Sequence, residues 1–344
     1  MGRFAMASHR PLRVFLCDLT HDTIVLVADT IPINIGFIGS YAKKIHGDAI
    51  EVSLFKYPQT AIDAIKADPP DVIALSNYSW NSRLAERVAG VAKERRPETI
   101  TVQGGTNFPH RGPLQRGFLL SRPNTDVYVE LEAEASFAEL LGRVLAKREG
   151  GAARLRESVL DGTLLPGLVY LVPDTRRSPE PVLVTGPSLP RIRELDDIQS
   201  PYLNGMLDTF FDGRLTPFLE TNRGCPFLCT FCHTGNGYFN KVNKFSLDRI
   251  KAEIDYIAPR MHKLGITNLH IADTNFAMYQ RDREICEEFL KTQKEFGWPR
   301  HIMSTTGKNN KELVIDITRL LGTTFSVNMS VQSMDPEVLK NVHR

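Results

Sequence analysis

Short apolar runs rich in β-branched residues recur along the first part of the chain: RVFLCDL from Arg13, EVSLFKY from Glu51, DVIALSN from Asp71, TITVQGG from Thr99 and DVYVEL from Asp126. Several lack clean polar alternation, as expected of parallel strands buried on both faces. Between them, TAIDAIKAD and SRLAERVAGVAKERR space their apolar positions as helices do. A parallel connection requires a crossover, which helices supply, so the pattern predicts a doubly wound parallel sheet. Ligands of such sheets lie beyond the C-terminal strand ends, here near Ser76, Gly104 and Glu130.

From about Gly151 to Pro190 the texture changes to LPGLVYLVPDTRRSPEPVLVTGP, two apolar runs around a charged, Pro-containing turn, which reads as a hairpin between domains. The irregular segment RELDDIQSPYLNGML continues it as a connector. A second alternating series then predicts strands at TPFLETN, NLHIADTN, RHIMSTTG and TFSVNMSVQS. Helices are expected from about Leu247, with Ser246 as N-cap, and at REICEEFLKTQKEFG and KELVIDITRLLG. Such a run of βα units suits a partial barrel with its site at the strand C-terminal ends. The expected organisation is a doubly wound domain over 1–150, a hairpin and connector over 151–205, and a barrel-like domain over 206–344.

Composition narrows the function classes. The 344 residues hold 42 basic against 40 acidic side chains, formal net charge +2, and no dense Lys/Arg run, so neither the overall field nor a local one favours nucleic acid. The N-terminus lacks the apolar core and cleavage site of a signal peptide, and no window reaches the ~18 uninterrupted apolar residues of a membrane helix. A cytoplasmic protein without membrane partners is expected, with its thiols reduced.

Three of the 5 cysteines, Cys225, Cys229 and Cys232, fall in a C-x3-C-x2-C arrangement directly after the first strand of the second series. A disulfide framework fits poorly, because such scaffolds are short and cysteine-dense. Three thiolates on one tight loop can bind three corners of a cubic iron–sulfur cluster, leaving the fourth iron without a protein ligand and open to chemistry. The competing reading is a zinc knot, but structural zinc wants four ligands, and only His233, awkwardly adjacent to Cys232, stands near. Cys17 in a strand and Cys286 on a helix read as core residues.

ETNRGCPFLCTFC, with Phe231 immediately before the third cysteine, resembles the cluster loop of radical S-adenosylmethionine enzymes. The resemblance implies a 4Fe-4S cluster whose open iron is chelated by S-adenosyl-L-methionine, and one-electron cleavage to methionine and a 5'-deoxyadenosyl radical that abstracts a substrate hydrogen. It also implies a reductant such as flavodoxin or ferredoxin. Strand ends after the loop offer Asp273 and Asn275, Ser304 and Thr305, Ser330 and Gln332. By similarity Asp273 would meet the amino group of S-adenosylmethionine, and Ser304, Ser330 and Gln332 its carboxylate or ribose, with Phe231 and Asn275 also in that site. Alternatively, these polar residues cap strand-to-helix turns. The family's core usually has six barrel strands where four are visible here. Asp335 and Pro336 open a helix that has only to Arg344 to run, so a truncated form of a longer enzyme is expected.

TIPINIGFIGSYAKK, VQGGTNFPHR, DVYVELEAEASFAELL and the connector LDDIQSPYL resemble the Rossmann-like cobalamin-binding domain and interdomain segment of one large subgroup of that family. The resemblance implies cobalamin across Ser76, Gly104, Gly105, Thr106, Asn107 and Glu130, with the two glycines giving backbone access to a large flat ligand. Two departures stand out. No D-x-H-x-x-G supplies an axial histidine, for which His110 is a remote candidate, and ELEAE replaces the glycines of a G-E-G-E motif. The expected activity is cobalamin-dependent methylation of an unactivated carbon in a small-molecule or peptide substrate. A radical enzyme without cobalamin performing oxidation, cyclisation or rearrangement is the alternative within the class, and a zinc- or cluster-stabilised binding module the alternative outside it.

Overall fold

The structure, a computed structural model, describes residues 10–23, 26–110, 112–173, 180–307, 309–328 and 330–343. The chain divides into two compact units, one from residues up to Ala28 plus Asn34–Pro190, the other from Asp29–Ile33 plus residues from Arg191 onward. No helix among the described residues is long and apolar enough to cross a membrane.

The first unit is built on β1 (Leu12–Cys17), β2 (Ile50–Phe55), β3 (Val72–Ser76), β4 (Ile100–Gly104) and β5 (Val127–Val129), all parallel and ordered β2-β1-β3-β4-β5. Alternate side chains of β1 explain why its apolar run is nearly unbroken. Leu12, Val14 and Leu16 join a core with α1 (Ile33–His46) and α5 (Ala133–Glu149), whereas Phe15 and Cys17 join another with α2 (Pro58–Ala67) and α3 (Ser82–Arg95). Each such side chain withdrawn from water contributes about 1.5–3 kcal/mol, so a polar residue on either face of β1 is disfavoured. The crossover before β5 is α4 (Gly112–Leu120). In this strand order the direction of winding reverses between β1 and β3, which opens a crevice at their C-terminal ends.

After the short α6 (Leu155–Val159), the two apolar runs expected as an interdomain hairpin form β6 (Leu168–Val172) and β7 (Val182–Thr185), which add antiparallel strands beyond β5. Val169 of β6 packs with Tyr128, Phe108 and Leu119 in a third cluster. The hairpin therefore extends the first sheet rather than standing between domains, because it covers what would be an open edge at β5. The turn expected between its strands, 174–179, lies outside the described residues.

The second unit holds a parallel sheet of β8 (Phe218–Leu219), β11 (Asn268–Ile271), β12 (His301–Met303) and β13 (Phe325–Ser326) in spatial order β13-β12-β11-β8, and a separate antiparallel pair of β9 (Asn222–Arg223) with β10 (Asn243–Lys244). Three helices alternate with these strands: α7 (Leu247–Leu264), α8 (Arg281–Phe296) and α9 (Lys311–Leu321). Ser246 caps α7 as the sequence predicts, accepting from Arg249 N at 3.3 Å, and Gly265 ends it in the left-handed region at φ 71°. Asp335 caps the last helix, α10 (Pro336–Asn341), accepting from Glu337 N at 2.7 Å.

Candidate functional site

The cysteine loop is an excursion between the paired strands β9 and β10. Asn222 and Arg223 stand opposite Lys244 and Asn243, so the two stems are held together and 224–242 loop out between them. Cys225 N donates to Phe239 O at 2.9 Å, and Cys232 N to Cys229 O at 3.1 Å, closing a tight turn around the second and third cysteines. A Cβ on Gly235 would collide with the Cys229 carbonyl, and one on Gly224 (φ 112°) with the Lys241 carbonyl. Both positions therefore need glycine for close backbone approach. Cys225 and Cys229 are buried, whereas Cys232 is exposed and lies 3.2 Å from Thr234 Oγ1. None of the five cysteines is in a disulfide.

Among the described residues, no three His, Cys, Asp or Glu side chains gather tightly enough to hold a single metal ion. Cluster ligation asks for something else, since each thiolate takes a different iron. The donor set suits an anionic thiolate-bound cluster in charge as well. From Thr221 to Leu247 there is no Asp or Glu, and Lys241 and Lys244 are basic, whereas Arg223 is paired with Glu220 at 2.8 Å and Asp273 reaches Thr221 and Asn222 from the segment after β11.

Around the loop, the segment after β11 performs two bracing functions. Asp273 is buried, and its carboxylate accepts from Thr221 N (2.8 Å), Asn222 N (3.3 Å), Asn222 Nδ2 (2.5 Å) and the Thr221 hydroxyl. These donors are the residues that lead into the cysteine loop. Burial pushes the carboxyl up to about 7 against the lowering effect of the Thr221 bonds, because removing it from water outweighs the donors around it. The position expected to meet the amino group of S-adenosylmethionine thus has protein partners on both oxygens. Asn275 donates from Nδ2 to the Cys225 sulfur at 3.2 Å, and Thr274 Oγ1 to Gly224 O at 2.9 Å.

The other expected ligand positions are dispersed. Ser304 follows β12 with its hydroxyl buried and without a protein partner among the described residues, an orphaned donor of the kind a bound polar group would satisfy. Its neighbour Thr305 accepts through its carbonyl from Phe276 N at 2.9 Å, which ties the loops after β11 and β12 together. Ser330 and Gln332 are exposed on the segment after β13, Gln332 with φ 71°, and Phe231 is 52% exposed on the cysteine loop. Sequence reasoning did not single out Thr221, Asn222 and Thr274. The only signal was that the first two occur in the ETN immediately preceding the loop.

In the first unit the strand ends form a buried polar network. Ser76 Oγ donates to Asp18, Lys56 Nζ meets Asp18 at 2.9 Å, and Asn77 Nδ2 donates to Gln103 Oε1 at 2.8 Å. Asn107 returns to Asn77 through its backbone (3.2 Å) and side chain (3.1 Å). Gly105 and Thr106 are exposed beyond this network, and Tyr128 holds the turn by donating its hydroxyl to Gly105 O at 2.9 Å. The need for glycine differs from the expected one. A Cβ on Gly105 (φ 131°) would stand 2.7 Å from Asn77 O, so it fits the loop to its own sheet, whereas a Cβ on Gly104 would meet nothing closer than 3.5 Å. Glu130 is half-buried and accepts from Gln115 Nε2 at 2.7 Å, with burial raising its carboxyl. Leu131, in the stretch where the resembled motif has glycines, keeps a glycine-like conformation at φ 62°. The Gly105–Thr106 backbone is exposed at the crevice end of the sheet, beyond a network that holds the amides of Asn77, Gln103 and Asn107 and the Lys56–Asp18 pair.

Residues 219–344 match the Radical SAM superfamily. The chain is 35% identical over 288 residues to the cobalamin-dependent radical SAM methyltransferase TokK of Streptomyces tokunonensis, covering 80% of this chain and 38% of that protein. It is 30% identical over 332 residues to the 2-(S-pantetheinyl)-carbapenam-3-carboxylate methyltransferase of Streptantibioticus cattleyicolor, covering 91% and 44%. It thus spans less than half the length of these curated relatives. Among solved structures, the apo form of the cobalamin-dependent S-adenosylmethionine radical enzyme OxsB superposes with a TM-score of 0.66 at 16% identity, over 97% of this chain and 45% of that one. The radical S-adenosylmethionine methyltransferase TsrM of Kitasatospora setae gives 0.58 at 16%, over 96% and 62%. At these identities the structural likeness concerns the fold.

Proposed function

The chain belongs to the cobalamin-dependent branch of the radical S-adenosylmethionine superfamily, and on that premise we propose that it serves the methylation of an unactivated carbon in a small molecule. The observation that carries the reading is the cysteine loop: three thiols on one glycine-tightened excursion between paired strands, two buried and one exposed. Cys225, Cys229 and Cys232 would hold the 4Fe-4S cluster, and the exposed end of the first sheet at Gly105, Thr106 and Asn107 would hold cobalamin. When bound, these groups supply one-electron reduction for cleaving S-adenosyl-L-methionine and a carrier for the methyl group.

The chain's own residues orient and shield. Asp273 fixes the approach to the loop through Thr221 and Asn222, Thr274 pins the Gly224 carbonyl, and Ser304 keeps an unpaired hydroxyl at a neighbouring strand end. Positioning of this kind converts an encounter into an oriented reaction. Ser304 is the S-adenosylmethionine contact we favour, with Ser330 and Gln332 on the exposed segment after β13 completing the site as substrate binds. The relatives' names make a carbapenam bearing a pantetheinyl arm the first substrate class to try, and a small one-electron carrier protein the reductant.

The test is anaerobic reconstitution of the chain with iron, sulfide and cobalamin, followed by visible spectroscopy and incubation with dithionite and S-adenosylmethionine. The expected result is broad cluster absorption, co-elution of cobalamin and release of 5'-deoxyadenosine. A protein that takes up zinc in preference to iron and sulfide, or releases no 5'-deoxyadenosine once loaded, refutes the reading. Loading without cobalamin co-elution refutes the methyl-carrier part alone.

A further inference from the structure

We infer that Asn275 sets the reduction potential of the iron–sulfur group by hydrogen bonding to one of its ligand sulfurs, an inference that rests on the reading of Cys225, Cys229 and Cys232 as cluster ligands. Asn275 is 5% exposed, and its side-chain amide has two hydrogens. Nδ2 lies 3.2 Å from Cys225 Sγ and 3.2 Å from Thr274 Oγ1, so each hydrogen has an acceptor. Thr274 is itself tied by its hydroxyl to the Gly224 carbonyl at 2.9 Å, which fixes the amide relative to the residue preceding Cys225. The orientation of the amide follows from chemistry. A ligating thiolate can only accept, so the NH2 end and not the carbonyl end must face it.

The three sulfurs are not equivalent. Cys225 is buried and faces a fixed amide, whereas Cys232 is exposed and faces a hydroxyl that can rotate. A donor aimed at a ligand sulfur withdraws electron density, which favours the reduced state, and the effect is larger where water is excluded. Asn275 is therefore a positioning and tuning residue acting through Cys225. Because it sits in the loop after β11, this contact exists only once β11 and the cysteine loop are packed together.

The experiment compares the full chain with Asn275→Leu and Asn275→Asp, each reconstituted anaerobically with iron and sulfide and without S-adenosylmethionine. Iron and sulfide content is measured first. The reduced fraction is then followed by electron paramagnetic resonance at poised potentials. At the potential where the wild-type cluster is half reduced, each loaded variant is expected to show a reduced-to-oxidised ratio lower by about tenfold, which for a one-electron couple is about 59 mV towards negative potential. An unchanged or higher ratio overturns the inference. Pulsed resonance on wild-type protein carrying 15N only in asparagine side chains supplies a measurement independent of the variants. Because Asn222, Asn236, Asn240 and Asn243 flank or lie on the same loop, a coupling supports the contact when it is lost on replacing Asn275, and the absence of any coupling in wild type overturns it whether or not the variants load. Wild-type protein that forms no cluster overturns the reading of the cysteine loop and this inference with it, whereas a loaded cluster with unchanged potentials overturns this inference alone.

Discussion

Asp273 should make the second unit lose stability as the pH rises through neutrality, the reverse of an ordinary salt-bridged carboxylate. Its carboxyl is raised by burial from 3.8 to about 7. Between those values the native state holds a proton that the unfolded chain has released, so the native state binds more protons and stability falls with rising pH. At 1.36 kcal/mol per pH unit in the fully developed window, the loss between about pH 5 and about pH 8 is about 2–3 kcal/mol. Asn cannot titrate, so the comparison is wild type against Asp273→Asn, in which other titrating groups cancel. Trp298, buried in the second unit, is a suitable reporter, and a Trp80→Phe background silences the chain's other tryptophan. With a urea m-value of about 2 kcal/mol/M, the wild-type midpoint should fall by about 1 M relative to the variant over that pH range. A difference that stays flat from pH 5 to pH 8, or that moves in favour of the wild type, would show that the donors from Thr221 and Asn222 keep the carboxylate ionised and that the argument from burial is wrong.

Alanine at Cys225, Cys229 or Cys232 should each abolish retention of a full four-iron complement and release of 5'-deoxyadenosine while leaving the circular dichroism of the chain unchanged; normal iron and sulfide in all three variants would contradict the ligand assignment. Gly105→Ala should destabilise the first unit by about 1–3 kcal/mol through its positive φ and the close approach of Asn77 O, whereas Gly104→Ala should stay within about 1 kcal/mol, as read by thermal denaturation. Equal effects of the two would contradict the account of Gly105 as the glycine that the approach of Asn77 requires. Lys56→Met strands the Asp18 carboxylate in a nearly dry site and should weaken the first unit by about 3–5 kcal/mol. Hydrogen exchange of β1 and β3 peptides would detect it, and wild-type protection in the variant would argue against a coupled pair.

The strands and helices around both sheets were legible because burial imposes period. Parallel strands covered on both faces show up as unbroken apolar runs, as in β1 and β3, and amphipathic helices such as α3 and α8 repeat at helical spacing. The cysteine loop was legible for a different reason, since its three thiols lie on one short segment and their spacing is visible without any long-range contact. What escaped the sequence involved partners distant along the chain. Residues of β6 and β7 read as a hairpin between domains, and their pairing on β5 with Val169 against Tyr128 was not legible, because a hairpin's own pattern does not say which edge it joins. Gly105 read as room for a ligand, and only the approach of Asn77 revealed that the sheet itself requires it. Asp273 and Asn275 were both visible as polar residues at a strand end, yet their partners Thr221, Asn222 and Cys225 lie about fifty positions earlier. Local pattern determined which segments would be strand, helix and cysteine loop. Which strand ends meet, and therefore which carboxylate braces the loop and which amide touches a sulfur, was decided by β8 and β11 pairing in parallel, a long-range choice that no window of sequence contains.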